Sequence, residues 1–305
     1  MLRTVQLLLL ALPTWSMVNN ADLIWFDDDG KPQNYFARQP YPEGFNQTSK
    51  LVVNQKFPLL WEVKFEFFDN LEELVIDDCG VNDVLPGTFK DLQPLANLSL
   101  ALNNIKAVKE GVFNFVRVKN LNLEHNRIQV VSPRAFDNMP HLERIVLDFN
   151  ELRRWSGEWF FNCSRLATVS ITHNFLEELP PKAFRNFWLG VEQVSFYFSY
   201  NKIDRIDREA FAGSGNFGDL FLDWNDVPRV DGHTFGKLTS VEHLNLNGDS
   251  LRCLSEEFIN GVLNKTRLVS VLENPLKCDC LKELKKRQGS VRAEVVYSPE
   301  QTVDC

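Results

Sequence analysis

Six cysteines and five histidines are the residues of this 305-residue chain whose types could hold a metal or carry nucleophilic chemistry. Four of the cysteines, Cys253, Cys278, Cys280 and Cys305, gather near the C-terminus. Four thiolates could hold zinc in a tetrahedron; the same four could close two disulfides. The histidines are His125, His141, His173, His233 and His243. No Gly-rich phosphate loop, zinc-helix motif or nucleophile elbow accompanies them. The chain therefore reads as a non-enzyme that needs no cofactor and no metal. Acidic residues outnumber basic ones, 41 to 33, for a net charge of −8. That balance argues against a nucleic-acid partner, which calls for a basic face.

The elements that position these residues come from a repeat of about two dozen residues: Leu-x-x-Leu-x-Leu-x-x-Asn-x-Leu, with a lone Phe further on. With the first Leu as position 1, copies start at 71, 95, 118, 142, 166, 193, 217 and 241. A degenerate copy precedes them (Leu51, Val53, Asn54, Phe57) and a partial one follows (Val269, Val271, Asn274, Leu276). Positions 4 and 6 are apolar and alternate with exposed ones, as in a strand with one buried face. Successive strands should lie about 4.8 Å apart in one parallel sheet. The Asn column (Asn103, Asn126, Asn150, Asn174, Asn201, Asn225, Asn274) should bond the backbone groups that the turn frees. Cys79 and Asp249 replace Asn in two coils, where the ladder should be weaker. Position 19 is Phe in seven repeats, from Phe89 through Phe113, Phe136, Phe160, Phe184 and Phe211 to Phe235, which predicts an aromatic spine in the core. The long repeat at 166 should bulge outward at Trp188, Leu189 and Gly190. The fold class is an α/β solenoid: a curved leucine-rich repeat horseshoe with its parallel β-sheet on the concave face.

The string Asn274-Pro275-Leu276-Lys277-Cys278-Asp279-Cys280, a helical stretch from Leu281 to Arg287, and Cys305 resemble the cysteine-flanked C-terminal cap of extracellular leucine-rich repeat proteins. The likeness covers residues 46–305. That cap commonly has two cysteines after its helix and this chain has one, so the pairing cannot be carried over. The register supplies another: Cys253 and Cys278 both stand at position 13 of adjacent coils, near 5 Å apart. This predicts Cys253–Cys278 and Cys280–Cys305, with the zinc reading disfavoured by an oxidising secretory route. Cys79 and Cys163 fall on inward positions four coils apart and should be buried free thiols. The reduced cap and the cysteine-free N-terminal segment are similar to those of arthropod proteins, notably the leucine-rich immune proteins of mosquitoes. That resemblance implies pathogen recognition in extracellular fluid. A cell-adhesion or signalling module and an extracellular enzyme inhibitor are the rival functions.

The outward columns suggest where a partner would sit. Position 8 carries Phe149, His173, Tyr200 and Trp224; position 5 carries Tyr197 and Phe221. Such rings are not needed for packing, and a contiguous run over several coils is seldom incidental surface. The expected ligand site is the concave face of the repeats at 142, 166, 193 and 217, about 15 Å across. The position 7 acids Asp148 and Asp223 should favour a basic or hydroxyl-rich rim on the partner. His125 and His173 share a column two coils apart, roughly 10 Å, too far to share one metal. The expected partner is an extracellular protein or a microbial-surface ligand.

Residues 1–16 have the form of a secretory signal peptide: Arg3, the apolar run Val5 to Leu12, and Thr14 and Ser16 before the cut. The run falls short of the ~20 residues that a membrane span needs. The sequons at Asn46, Asn97, Asn162 and Asn264 fit the same compartment. The expectation is a secreted, soluble glycoprotein with a leader (1–16), an aromatic N-terminal capping segment (17–45), repeats (46–265) and a cysteine-containing cap (266–305). A disordered binding tail is the alternative for 17–45.

Overall fold

The computed structural model describes residues 70–298 apart from 91, 93, 94, 188, 189, 231 and 288; upstream it describes 4–6, 22–26, 32–36, 49–53, 56 and 58–60. The chain divides into two compact units. Unit 1 is Met1–Leu147 with Trp159–Cys163; unit 2 is Asp148–Glu158 with Ser164–Cys305.

In unit 1 the strands Lys50–Val52, Glu73–Val75, Leu95–Ser99, Val118–Asn122 and Arg144–Val146 pair in parallel, each with the next coil's strand. Thr4–Gln6 adds a parallel strand beside Lys50–Val52, then Asp22–Phe26 and Pro32–Phe36 follow as an antiparallel hairpin. Three residues of the expected leader thus sit at this edge in the uncleaved chain. The rest of the leader, most of 17–45, and the sequon at Asn46 lie outside the described residues, as do Asn54 and Phe57.

In unit 2 the parallel strands are Thr168–Ser170, Gln193–Tyr197, Asn216–Phe221, Ser240–Asn245, Thr266–Ser270 and Glu294–Val296. The alternation expected for these strands is observed: Val169, Phe196, Leu220, Leu244 and Val269 are buried. The repeat placed at 193 needs a correction. Gln193 is exposed and Val194 takes the inward place, aligned with Phe217. The neighbouring strand fits two residues, Gly218 and Asp219, opposite the single Ser195. Such a β-bulge bends a strand and re-aims its side chains. Within the long 166 repeat, Trp188 and Leu189 are outside the described residues; Gly190 is exposed.

The Asn column does what its chemistry allows. Asn103 Oδ1 accepts the backbone N–H groups of Cys79 and Val81, each at 3.0 Å; its Nδ2 donates to the Ile76 and Leu100 carbonyls at 2.7 and 3.0 Å. One amide therefore closes two coils, and in unit 2 Asn225 repeats the pattern with Ile203, Phe198 and Leu222. Each bond is worth about 1 kcal/mol net, and an unpaired buried group would cost more.

The Phe spine forms in each unit. Phe89, Phe113, Phe136 and Phe160 stack at centroid distances of 5.7, 5.8 and 5.2 Å in unit 1. Phe184, Phe211 and Phe235 follow at 5.3 and 5.2 Å in unit 2. Phe258 extends the spine at 5.5 Å from Phe235. It rides on the helix Glu256–Gly261, which shifts it one position from the column; Ser255 caps that helix by accepting the Phe258 N–H.

The C-terminal cap corrects the expected pairing. Cys253 is joined to Cys280, not to Cys278, with the Cα atoms 5.4 Å apart. Cys278 is disulfide-bonded as well. Cys305 lies outside the described residues, and Cys280 is not its partner. The register argument assumed an extended chain through position 13. Instead the helix Cys278–Arg287 begins at Cys278. Helical rise is 1.5 Å per residue against about 3.3 Å in a strand, so two further residues carry the chain little farther. Cys280 then turns back toward Cys253, while Leu281 and Leu284 bury the helix on the last coil. Cys79 and Cys163 are buried and outside any disulfide, as expected.

Candidate aromatic binding face

The side chains expected at the ligand site lie on the solvent face of the unit 2 sheet. Phe149, His173, Tyr200 and Trp224 form one continuous stack: centroid steps are 4.1, 4.4 and 5.8 Å, with planes within 19° of parallel. These steps bracket the ordinary strand spacing of about 4.8 Å, because each ring comes from the same position of successive coils. Phe149, Tyr200 and Trp224 remain 42%, 46% and 41% exposed. Tyr197 and Phe221 form a second pair, edge to face at 5.2 Å, earlier on the same strands.

The backbone beneath the stack is left-handed, which simple strand alternation does not anticipate. Phe149, His173, Tyr200 and Trp224 have φ of 54°, 53°, 57° and 56°. Asp78, Leu102, His125 and Gly248 of the same column are at positive φ too. Each non-glycine residue there costs roughly 1–2 kcal/mol. The Asn ladder at the following position holds the turn against that cost. A signal was present in the sequence: the column holds a glycine and no β-branched residue, the type least tolerant of positive φ. Gly248 also ends the stack. A Cβ built there would lie 2.7 Å from Trp224 Cδ2, so the indole occupies the space that only glycine leaves open.

The acids are placed differently from expectation. Asp148 Oδ1 accepts the Thr172 N–H at 2.7 Å and the Ser170 hydroxyl at 2.8 Å. Asp223 Oδ1 accepts the Ser199 hydroxyl at 2.6 Å, and burial raises its pKa above the usual carboxylate value. Both carboxylates therefore help lock adjacent coils, which is their physical role here rather than that of a free acidic rim. Asp77 in unit 1 repeats the arrangement with Ser99 and Ala101.

Position 3 adds residues that the sequence reading missed. Tyr197 Oη donates to Asp219 Oδ2 at 2.6 Å, and His243 Nδ1 meets Asp219 Oδ1 at 2.8 Å. The bulge at Gly218–Asp219 brings them together, with the Asp219 N–H donating to Ser195 Oγ at 3.0 Å. The available signal was position 3 itself, where the repeats starting at 193, 217 and 241 carry Ser195, Asp219 and His243.

Chemically the face offers ring edges, two tyrosine hydroxyls, an indole N–H and a carboxylate-held imidazole. Rings fixed by their neighbours lose little freedom when a partner docks, and that preorganisation favours tight binding. The sequons occupy other ground. Asn97 is in the strand Leu95–Ser99 on the unit 1 sheet and accepts a bond from Asn120; Asn162 and Asn264 are exposed in loops.

Stacked coils with a parallel sheet, an Asn ladder and a Phe spine define a repeat solenoid, a class that presents broad surfaces for binding. The chain is a leucine-rich repeat protein. Residues 116–176 match the leucine rich repeat family, and residues 162–272 match the BspA type leucine rich repeat region (6 copies). Over 84 residues the chain is 37% identical to the leucine-rich repeat transmembrane protein FLRT2 of Rattus norvegicus, and equally to that of Homo sapiens. The match covers 27% of this chain and 12% of that protein, so only a small share of the relative's length is spanned. The crystal structure of a TLR13–ssRNA13 complex is similar with a TM-score of 0.55, covering 83% of this chain and 36% of that one. At 18% identity this likeness concerns the fold alone. That complex holds an RNA, so the exclusion of a nucleic-acid partner drawn from the net charge is not supported. Among the described residues no helix is long and apolar enough to cross a membrane.

Proposed function

We propose that the protein is a secreted binding scaffold that takes a protein or microbial-surface ligand on the unit 2 sheet, in innate immune recognition. The observation that carries the binding site is the exposed, preorganised stack of Phe149, His173, Tyr200 and Trp224 beside the Tyr197–Phe221 pair. Aromatic anchors with polar tips are the usual chemistry of binding hot spots. The leader, the sequons and the disulfide Cys253–Cys280 support an oxidising, extracellular setting. The immune role rests on the resemblance of the cap to arthropod immune proteins. The likeness to a leucine-rich repeat transmembrane protein favours a second reading, a cell-surface adhesion or signalling module.

The test is secretion of the tagged chain from a eukaryotic host, followed by capture from extracellular fluid and mass spectrometry. Recovery in the medium with a chain starting at Met17 and a captured microbial-surface or immune component supports the first reading. Capture of a cell-surface protein instead supports the second. A chain retained in the cytosol with its leader intact contradicts both.

A further inference from the structure

Unit 1 exposes two phenylalanines on its loop side, away from the sheet. Phe115 is 73% exposed and Phe161 is 45% exposed. The Phe115 ring has no aromatic or cationic neighbour among the described residues. The Arg134 guanidinium lies 5.7 Å from the centroid of Phe161 and is also paired with Asp137. Phe115, Asn138 and Asn162 occupy one column of successive coils, all at left-handed φ of 67°, 58° and 56°. The backbone ties that column together: the Phe115 N–H donates to the Asp137 carbonyl and the Asn138 N–H to the Phe161 carbonyl. Phe115 is the most exposed of the large apolar side chains among the described residues.

The column itself names a cover for this ring. Asn162-Cys163-Ser164 is a glycosylation sequon, and Asn162 is exposed. Its Nδ2, the atom a glycan would use, points down the column and donates to Asn138 Oδ1 at 2.9 Å. Phe115 is the next member beyond Asn138. A sugar ring is about as wide as one coil spacing, ~4.8 Å. A chain of two sugars from Asn162 therefore reaches Phe115 across Asn138.

We propose that Asn162 carries an N-glycan whose first sugars lie along this column on Phe115, so that the chain's own carbohydrate shields this ring. In the transfer Asn162 Nδ2 bonds to the anomeric carbon of a lipid-linked oligosaccharide. The carbon–oxygen bond to the lipid pyrophosphate breaks, the pyrophosphate leaves with the electron pair, and Nδ2 gives up one proton. The hydrogen replaced is the one that Nδ2 directs at Asn138, so the first sugar starts along the column. The C–H groups of a sugar's apolar face suit the negative face of a phenyl ring. The site rests on the secretory part of the proposed function and is independent of the aromatic sheet face.

The experiment compares the secreted wild type with Ser164→Ala and with Thr266→Ser, the latter keeping the Asn264 sequon. Ser164→Ala removes the Asn162 sequon while leaving Asn162, its φ and its bond to Asn138 in place. Glycopeptide mass spectrometry reads occupancy, and hydroxyl-radical footprinting reads oxidation of Phe115. Asn162 should be occupied, and Phe115 oxidation should rise severalfold in Ser164→Ala alone. Endoglycosidase treatment of the folded wild type should reproduce the rise if the variant secretes poorly. An empty Asn162 beside an occupied Asn264 overturns the proposal but not secretion; no occupied sequon overturns both. An occupied Asn162 with unchanged Phe115 oxidation overturns the shielding.

Discussion

Replacing Asp249 by Asn should make unit 2 more stable at neutral pH and flatten its dependence on pH. Asp249 is buried where the ladder otherwise has Asn. Its Oδ1 accepts the Asn225 and Val227 N–H groups at 3.1 and 3.4 Å, as an Asn oxygen would. Its Oδ2 is buried without a partner, at the place where Asn225 directs Nδ2 to two carbonyls. Burial first, then the charges of Asp223 and Asp226, pushes the carboxyl from 3.8 up to about 8. The native state therefore holds a proton that the unfolded chain releases near pH 4. The contribution to stability is full below the unfolded value and is lost as pH rises toward 8. At about 1.4 kcal/mol per pKa unit, the loss between pH 5 and pH 7.5 is about 3 kcal/mol. Asn supplies the two donors at every pH and carries no such loss. Denaturant unfolding of wild type and Asp249→Asn at several pH values gives the difference directly, since other titrating groups are common to both. The gap should widen in favour of the variant as pH rises, by about 3 kcal/mol between pH 5 and pH 7.5. Parallel curves, or a variant less stable at pH 7.5, would refute the reasoning.

Trp224→Ala and Tyr200→Ala should each cost about 2 kcal/mol of affinity with little change in melting temperature. Phe211→Ala, in the spine, should instead cost about 3–5 kcal/mol of stability, read by unfolding. Gly248→Ala forces a Cβ into the indole at positive φ; it should destabilise unit 2 by about 1–3 kcal/mol and alter Trp fluorescence as Trp224 leaves the stack. Non-reducing peptide mapping should recover a Cys253–Cys280 peptide; a Cys253–Cys278 peptide would contradict the structure of the cap.

The repeat was legible because each inward column repeats one chemical need in every coil. Leu, Asn and Phe recur where a strand, a turn and a spine each demand them, so the pattern averages out single exceptions. What depended on one coil was not legible. The pairing of Cys253 turned on where one helix begins, which a repeat register cannot tell. The Tyr197–Asp219–His243 network joins position 5 of one coil to position 3 of the next, a diagonal contact that no single column displays. The rings of the candidate face were found because they were apolar where packing asks for nothing. The acids beside them were misread because a carboxylate that bonds the next coil looks, in sequence, like one that faces solvent.

The central claim is that the stacked rings of unit 2 bind the partner. Its most direct measurement is a titration of the captured partner against wild type and against the double variant Tyr200→Ala/Trp224→Ala, with melting temperatures recorded for both. The account predicts an affinity loss of at least about 30-fold, the equivalent of roughly 2 kcal/mol, with melting unchanged. Equal affinity of the two proteins for the same partner would contradict it.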